Sequence, residues 1–150
     1  MLEVQIRTIL LKYIAYVSQQ THILTDLDIK NLLEICRKNN LQNKISGMLI
    51  YFDGTFVQFL EGSEERIDIL FSKIENDKRH QKIVLLLEGF SEKREFSEWS
   101  MAYKHLKLQE TIKIIGQKDF KKEDLFKGKN PESEHPGIVL LKSFVNDLHL

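Results

Sequence analysis

Residues 44–62, KISGMLIYFDGTFVQFLEG, constrain this chain more than any other stretch. Two apolar runs rich in Ile, Tyr, Phe and Val flank Asp53-Gly54, and Asp-Gly favours the positive backbone angles of a two-residue hairpin turn. The stretch therefore reads as two antiparallel strands. Gln58 interrupts the second of them, between Val57 and Phe59. A side-chain amide has donors at one end and an acceptor at the other. Burying it unpartnered costs about 1–3 kcal/mol, so a partner for Gln58 must lie on a neighbouring element.

The flanking sequence supplies those elements. KYIAYVSQ, residues 12–19, is a compact apolar run with two tyrosines and reads as a strand. TDLDIKNLLEICRKNN changes period: Ile29, Leu33, Cys36 and Asn40 fall on one face of a helix, with Leu32 beside them and Thr25 or Asp26 as N-cap. After the hairpin, Ile67, Leu70, Phe71 and Ile74 mark a second amphipathic helix. Ser63 and Arg66 supply only half a capping box at its start. KIVLLLEG reads as a buried strand, and a polar loop then leads to an edge strand around residues 99–103. The order strand, helix, strand, strand, helix, strand, strand predicts an α+β, ferredoxin-like βαββαββ sandwich with both helices on one face of the sheet. That topology makes the first and third strands neighbours in mid-sheet, bringing Tyr16 next to Gln58.

Beyond residue 104 the pattern weakens. QETIKIIGQ reads as a short helix, KDFKKEDLFKGKNPESE as loop, and HPGIVLLKSFVNDLHL as a closing helix with Pro136 near its start and Leu141, Phe144, Val145 and Leu148 on one side. These C-terminal helices are expected to pack on the other face of the sheet. The expected organisation is an N-terminal extension over 1–10, one α+β domain over 11–104 and a C-terminal cap over 105–150.

Composition narrows the function classes. Lys plus Arg and Asp plus Glu both number 22, so the net charge is zero, which argues against a protein whose main work is gripping nucleic acid. The single cysteine, Cys36, permits no internal disulfide, and the five histidines show no metal-ligand spacing. No apolar run reaches the roughly 18–20 residues of a membrane span. The expectation is a cytoplasmic protein without a metal. The helices would enclose an apolar slot lined by Leu32, Leu33, Ile67 and Ile74, with Tyr16, Gln58 and Asn40 at its floor and rim. Such a slot suits a planar, heteroatom-edged ligand. Spacing alone favours core packing for Tyr16, a satisfied amide for Gln58 and helix C-capping for Asn39-Asn40.

KYIAYVSQ, LLEICRKNNLQNKISGMLIYFDGTFVQFLEG, FSKIENDKRHQKIVLLLEG and REFSEWSM, in that order and spacing, resemble the BLUF domain, a flavin-using sensor of blue light. The resemblance covers about residues 11–104. It implies that Tyr16 is the photoactive tyrosine and Gln58 the switching glutamine. In the family, the excited flavin draws an electron and a proton from the tyrosine through the glutamine, both return, and the altered amide hydrogen bonds redden the absorption. Asn40 corresponds to the asparagine at the isoalloxazine edge, with Asn39 beside it. Leu32 and Ile74 correspond to the residues that sandwich the ring, and Asp77, Arg79 and His80, with Lys73, to those at the ribityl and phosphate end. Trp99 and Met101 correspond to the pair on the last strand that relays the signal. The implied cofactor is FAD, with FMN or riboflavin as alternatives. The implied output is a homo-oligomer or a separate partner protein, with no enzyme activity, membrane or nucleic acid. Cys36 is expected to be a small buried hydrophobe. The rival readings are a light-insensitive interaction module and a small enzyme on the same fold, although no Gly-rich phosphate loop or dinucleotide fingerprint occurs.

Overall fold

The strand-forming runs meet in one five-stranded sheet. In the computed structural model, which describes residues 10–97, 99–127 and 134–145, the elements run β1 Leu11–Gln20, α1 Asp26–Gln42, β2 Ser46–Phe52, β3 Thr55–Gly62, α2 Glu64–Glu75, β4 His80–Ser91, β5 Ala102–His105, α3 Leu108–Ile115 and α4 Pro136–Lys142. A 3-10 turn, Lys122–Phe126, lies between α3 and α4. The strand order is β4-β1-β3-β2-β5, antiparallel except that β5 runs parallel to β2. This is the expected ferredoxin-like arrangement, with β1 and β3 central and one further strand at the edge. Among the described residues, no helix is long and apolar enough to cross a membrane.

Local chemistry sets the joints. Asp53 and Gly54 have φ of 45° and 74°, which closes the hairpin with Phe52 opposite Thr55. Thr25 caps α1 in a full box, its hydroxyl accepting from the Asp28 amide and the Asp28 carboxylate from the Thr25 amide. Ser63 caps α2 alone, accepting from the Arg66 amide, so the half box stays half.

Strand alternation gives the central strands two buried faces. Ile14 and Tyr16 of β1, Leu49 and Tyr51 of β2, and Phe56 and Leu60 of β3 join Ile29 and Leu33 of α1, Ile67 of α2 and Met101 in one core. Ala15 and Val17, Met48, Ile50 and Phe52, and Val57 and Phe59 point the other way. They pack with Phe96, Leu106, Phe120, Leu125, Ile138, Leu140 and Leu141 in a second core. The C-terminal helices therefore cover the face that α1 and α2 leave open.

Several expectations are corrected. KIVLLLEG is not fully buried, because β4 is an edge strand. Two register shifts against β1 give it extra residues, Lys82 adopts φ of 52°, and Leu85 is 43% exposed. The last strand begins at Ala102, so Trp99 and Met101 precede it. The stretch expected to be loop contributes Phe120 and Leu125 to the second core. α4 ends at Lys142, and Phe144 and Val145 follow it, half-buried against that core. Residues 1–9, Glu98, residues 128–133 and 146–150, including Leu148, lie outside the described residues.

Candidate functional site

Between α1 and α2, above β1 and β3, lies a cleft of about 450 Å³, within the size range of small-molecule sites. Its floor carries Tyr16 and Gln58, directly opposite each other in the β1–β3 register and both nearly inaccessible. The Tyr16 hydroxyl donates to Gln58 Oε1. Gln58 Nε2 lies 3.5 Å from Met101 Sδ, a weak acceptor. The partner that burial requires for Gln58 is thus double, a phenol on its acceptor end and a thioether on its donor end. Burial pushes the Tyr16 phenol far above its ordinary value of 10.0, with smaller contributions from Cys36 and Asp77. The phenol is therefore neutral throughout the working range.

The walls are apolar and the mouth is polar. Leu32 and Ile35 of α1 and Leu70 and Ile74 of α2 line it, with Asn39, Asn40, Lys73, Asp77, Arg79 and His80 around them. Leu33 and Ile67, expected in the slot, lie beneath it in the core. Asn40 is buried and donates through Nδ2 to the Ser100 carbonyl at 2.8 Å. Arg79 grips Asp77 through Nε and Nη2, so its guanidinium holds the Asp77 carboxyl below the ordinary range. His80 joins three elements. Its Nε2 donates to the Ile74 carbonyl at 2.6 Å, and its Nδ1 meets Ser18 Oγ at 2.8 Å. The carbonyl accepts only, which places a proton on Nε2.

Every residue expected to hold a ligand borders this one cleft. Trp99 and Met101 do not: Met101 is buried behind Gln58, whereas Trp99 points out and is 58% exposed. Cys36 is only half-buried and lines the cleft wall, with burial raising its thiol above the ordinary range. Sequence reasoning missed His22, Asp28, Asn31 and Ile35 in the lining, Ser18 behind His80, and Arg37, whose Nε donates to the Met101 carbonyl at 3.0 Å. A signal for part of this exists, because Asp28, Leu32, Ile35 and Asn39 form a stripe beside the apolar one on α1.

A flavin fits this donor set. Apolar walls on both sides suit a flat ring, Gln58 and Asn40 add amides to the lining, and Lys73 and Arg79 add cations to it.

Comparison with known proteins agrees. The family model described as BLUF, sensors of blue-light using FAD, matches residues 11–102. The blue light- and temperature-regulated antirepressor BluF of Escherichia coli is 33% identical over 99 residues, 64% of this chain and 25% of that protein. Photoactivated adenylate cyclase subunit alpha-like protein FB of Euglena gracilis is 37% identical over 83 residues, 55% of this chain and 8% of that protein. The chain thus spans a quarter or less of these relatives. Among solved structures, the photo-activated state of BlsA aligns with a TM-score of 0.70 at 28% identity, covering 89% of this chain and 93% of that one. BlrB, described as a BLUF protein in its dark state, aligns at 0.64 and 28%, covering 89% and 98%. The residues matched by the family model, 11–102, include those that form the cleft, and the chain belongs to the BLUF family of blue-light sensors that use FAD.

Proposed function

We propose that this protein is a blue-light photoreceptor that holds a flavin, FAD by the family's description, in the cleft between α1 and α2 and signals through Gln58. The observation that carries the proposal is the buried chain Tyr16–Gln58–Met101 along the cleft floor. Leu32 and Ile74 flank the ring, Asn39 and Asn40 meet its polar edge, and Lys73, Asp77, Arg79 and His80 receive the tail. Bound flavin supplies blue-light absorption and, when excited, an electron acceptor.

The chain's own residues do the rest. Tyr16, neutral and buried, gives up its proton only along its hydrogen bond, to Gln58 Oε1, and recovers proton and electron within the same photocycle. Rotation or tautomerisation of the Gln58 amide then changes which groups it bonds. After rotation Nε2 faces the Tyr16 oxygen and Oε1 faces the Met101 sulfur, which has no proton to donate. Met101 loses its donor and is freed to shift. The backbone around it, held by Arg37 and Asn40, carries that shift toward the C-terminal helices, and from there to a homo-oligomer or a separate partner in the cytoplasm. The protein acts as a sensor and not as an enzyme.

The test is an absorption spectrum of the purified protein in darkness and just after blue light. A flavin spectrum that moves to the red and recovers in the dark is expected. Gln58→Leu should keep flavin and lose the shift, and Tyr16→Phe should keep flavin and lose the normal photocycle. A spectrum that only bleaches would overturn the proposal. Loss of flavin from both variants would make Tyr16 and Gln58 binding residues and not switching ones.

A further inference from the structure

The chain between β4 and β5 touches both cores. At one end Phe96 is buried in the cap-side core, its ring centroid 5.5 Å from that of Phe59. At the other Met101 is buried in the cleft-side core against Gln58. The Trp99 amide donates to the Phe96 carbonyl at 2.9 Å, which ties the two ends together.

The cleft end is held by donors on three consecutive carbonyls. The Gly47 amide meets Trp99, Asn40 Nδ2 meets Ser100 and Arg37 Nε meets Met101. At the cap end a buried carboxylate holds two backbone amides. Glu61, at the end of β3, is 2% exposed. Its Oε1 accepts from the Glu95 amide at 2.7 Å, and its Oε2 from the Phe96 amide at 2.7 Å and from Ser46 Oγ at 2.8 Å. Arg94 closes the cluster by donating to Ser46 Oγ, the Glu61 carbonyl and the Lys44 carbonyl. Charge-assisted bonds to backbone amides are roughly twice as strong as neutral ones. A buried carboxylate is retained only where such partners replace its water.

Glu61 is not in the cleft lining, yet it fixes the point where the segment passes from one core to the other. We propose that Glu61 is a positioning residue of the output step and that Phe96, which it holds by the backbone, is the cap-side end of the relay. With Phe96 fixed, a shift at Met101 passes through the Trp99–Phe96 hydrogen bond and tilts the Phe96 ring in the cap core. With Phe96 loose, the same shift is absorbed before it reaches that core. The Trp99 side chain points into solvent, and Trp99 meets Phe96 through its backbone amide. The inference rests on the photoreceptor reading above.

The experiment compares the flavin-loaded protein with Glu61→Gln and Phe96→Leu, reading the red shift optically and the light-minus-dark hydrogen exchange of α3 and α4 by mass spectrometry. Glu61→Gln keeps the shape but puts an NH₂ group where one of two amide protons is now accepted. Phe96→Leu keeps the backbone bonds and removes the ring, and it serves alone should Glu61→Gln not fold. Both variants are expected to keep the red shift, while the exchange difference in α3 and α4 falls by about fivefold or more, the lower bound of ordinary allosteric coupling. An exchange difference as large as in the parent protein, in either variant, would overturn the role of Glu61 and Phe96 and leave the photochemistry standing. A parent protein without a red shift would instead overturn the photoreceptor reading itself.

Discussion

Gln58 faces Tyr16 on one neighbouring strand and Leu49 on the other, so its amide has a single polar neighbour within the sheet and must find the second outside it. That second neighbour is Met101, which arrives from the other side of β2. In Gln58→Leu the buried Tyr16 hydroxyl loses its acceptor, so the variant should lose about 1–3 kcal/mol of stability together with its red shift. Asp77 illustrates a milder electrostatic effect. The Arg79 side chain holds its carboxyl below the ordinary 3.8. A depressed carboxylate contributes stability that is fully present above the ordinary value and lost as pH falls through the lower, folded-state value. Arg79 is half exposed, which limits the pair to about 1 kcal/mol or less. Thermal midpoints recorded from pH 7 down to about 2.5 should fall more steeply at the acid end for the parent protein than for Asp77→Asn. Matching acid slopes would remove the pair from the balance.

At the scale of elements, Gly47 shows how closely β2 and β3 approach. A Cβ there would stand 2.1 Å from the Phe59 carbonyl oxygen, which is backbone and cannot turn aside. Gly47→Ala should therefore push the hairpin strands apart at a cost of about 1–3 kcal/mol or more. The same displacement would pull on Trp99, whose carbonyl the Gly47 amide holds. A chemical denaturation curve that coincides with the parent's would contradict this. The element order and the first helix cap were legible because periodicity, Asp-Gly and Thr25 are local signals. The exposure of β4 was not, since KIVLLLEG reads the same whether a second strand covers it or the sheet ends there. Nor was the 3-10 turn, whose buried Leu125 stands in a sequence crowded with charge.

The whole molecule is a sheet with a core on each face, joined where the chain passes from Phe96 to Met101. The cap is integral to the sheet, since Ile138, Leu140 and Leu141 of α4 are all nearly inaccessible in the second core. Leu140→Ala should cost about 2–5 kcal/mol and lower the thermal midpoint. It should leave the dark flavin spectrum unchanged, because the cleft is on the opposite face. A spectral change in that variant would mean that the two cores are coupled in darkness as well.

The sequence by itself determined the alternation of elements, the hairpin and the helix faces, because each depends on spacing within one or two turns or pleats. Leu32, Asn39, Asn40, Lys73, Ile74, Asp77, Arg79 and His80 were all legible as a ligand-holding set through family resemblance, and they do border one cleft. What spacing could not supply was parity and company. A slip of one residue would have turned Tyr16 and Gln58 to the cap. Only the assembled sheet places both under the helices, opposite each other, with the Met101 sulfur behind them. Only tertiary structure separated Met101 from Trp99, two residues apart in sequence yet one buried and one in solvent, because the chain before β5 is not strand. And only the meeting of β3 with the chain after β4 gave the buried Glu61 carboxylate its amide partners, a contact across more than 30 residues that no local pattern encodes.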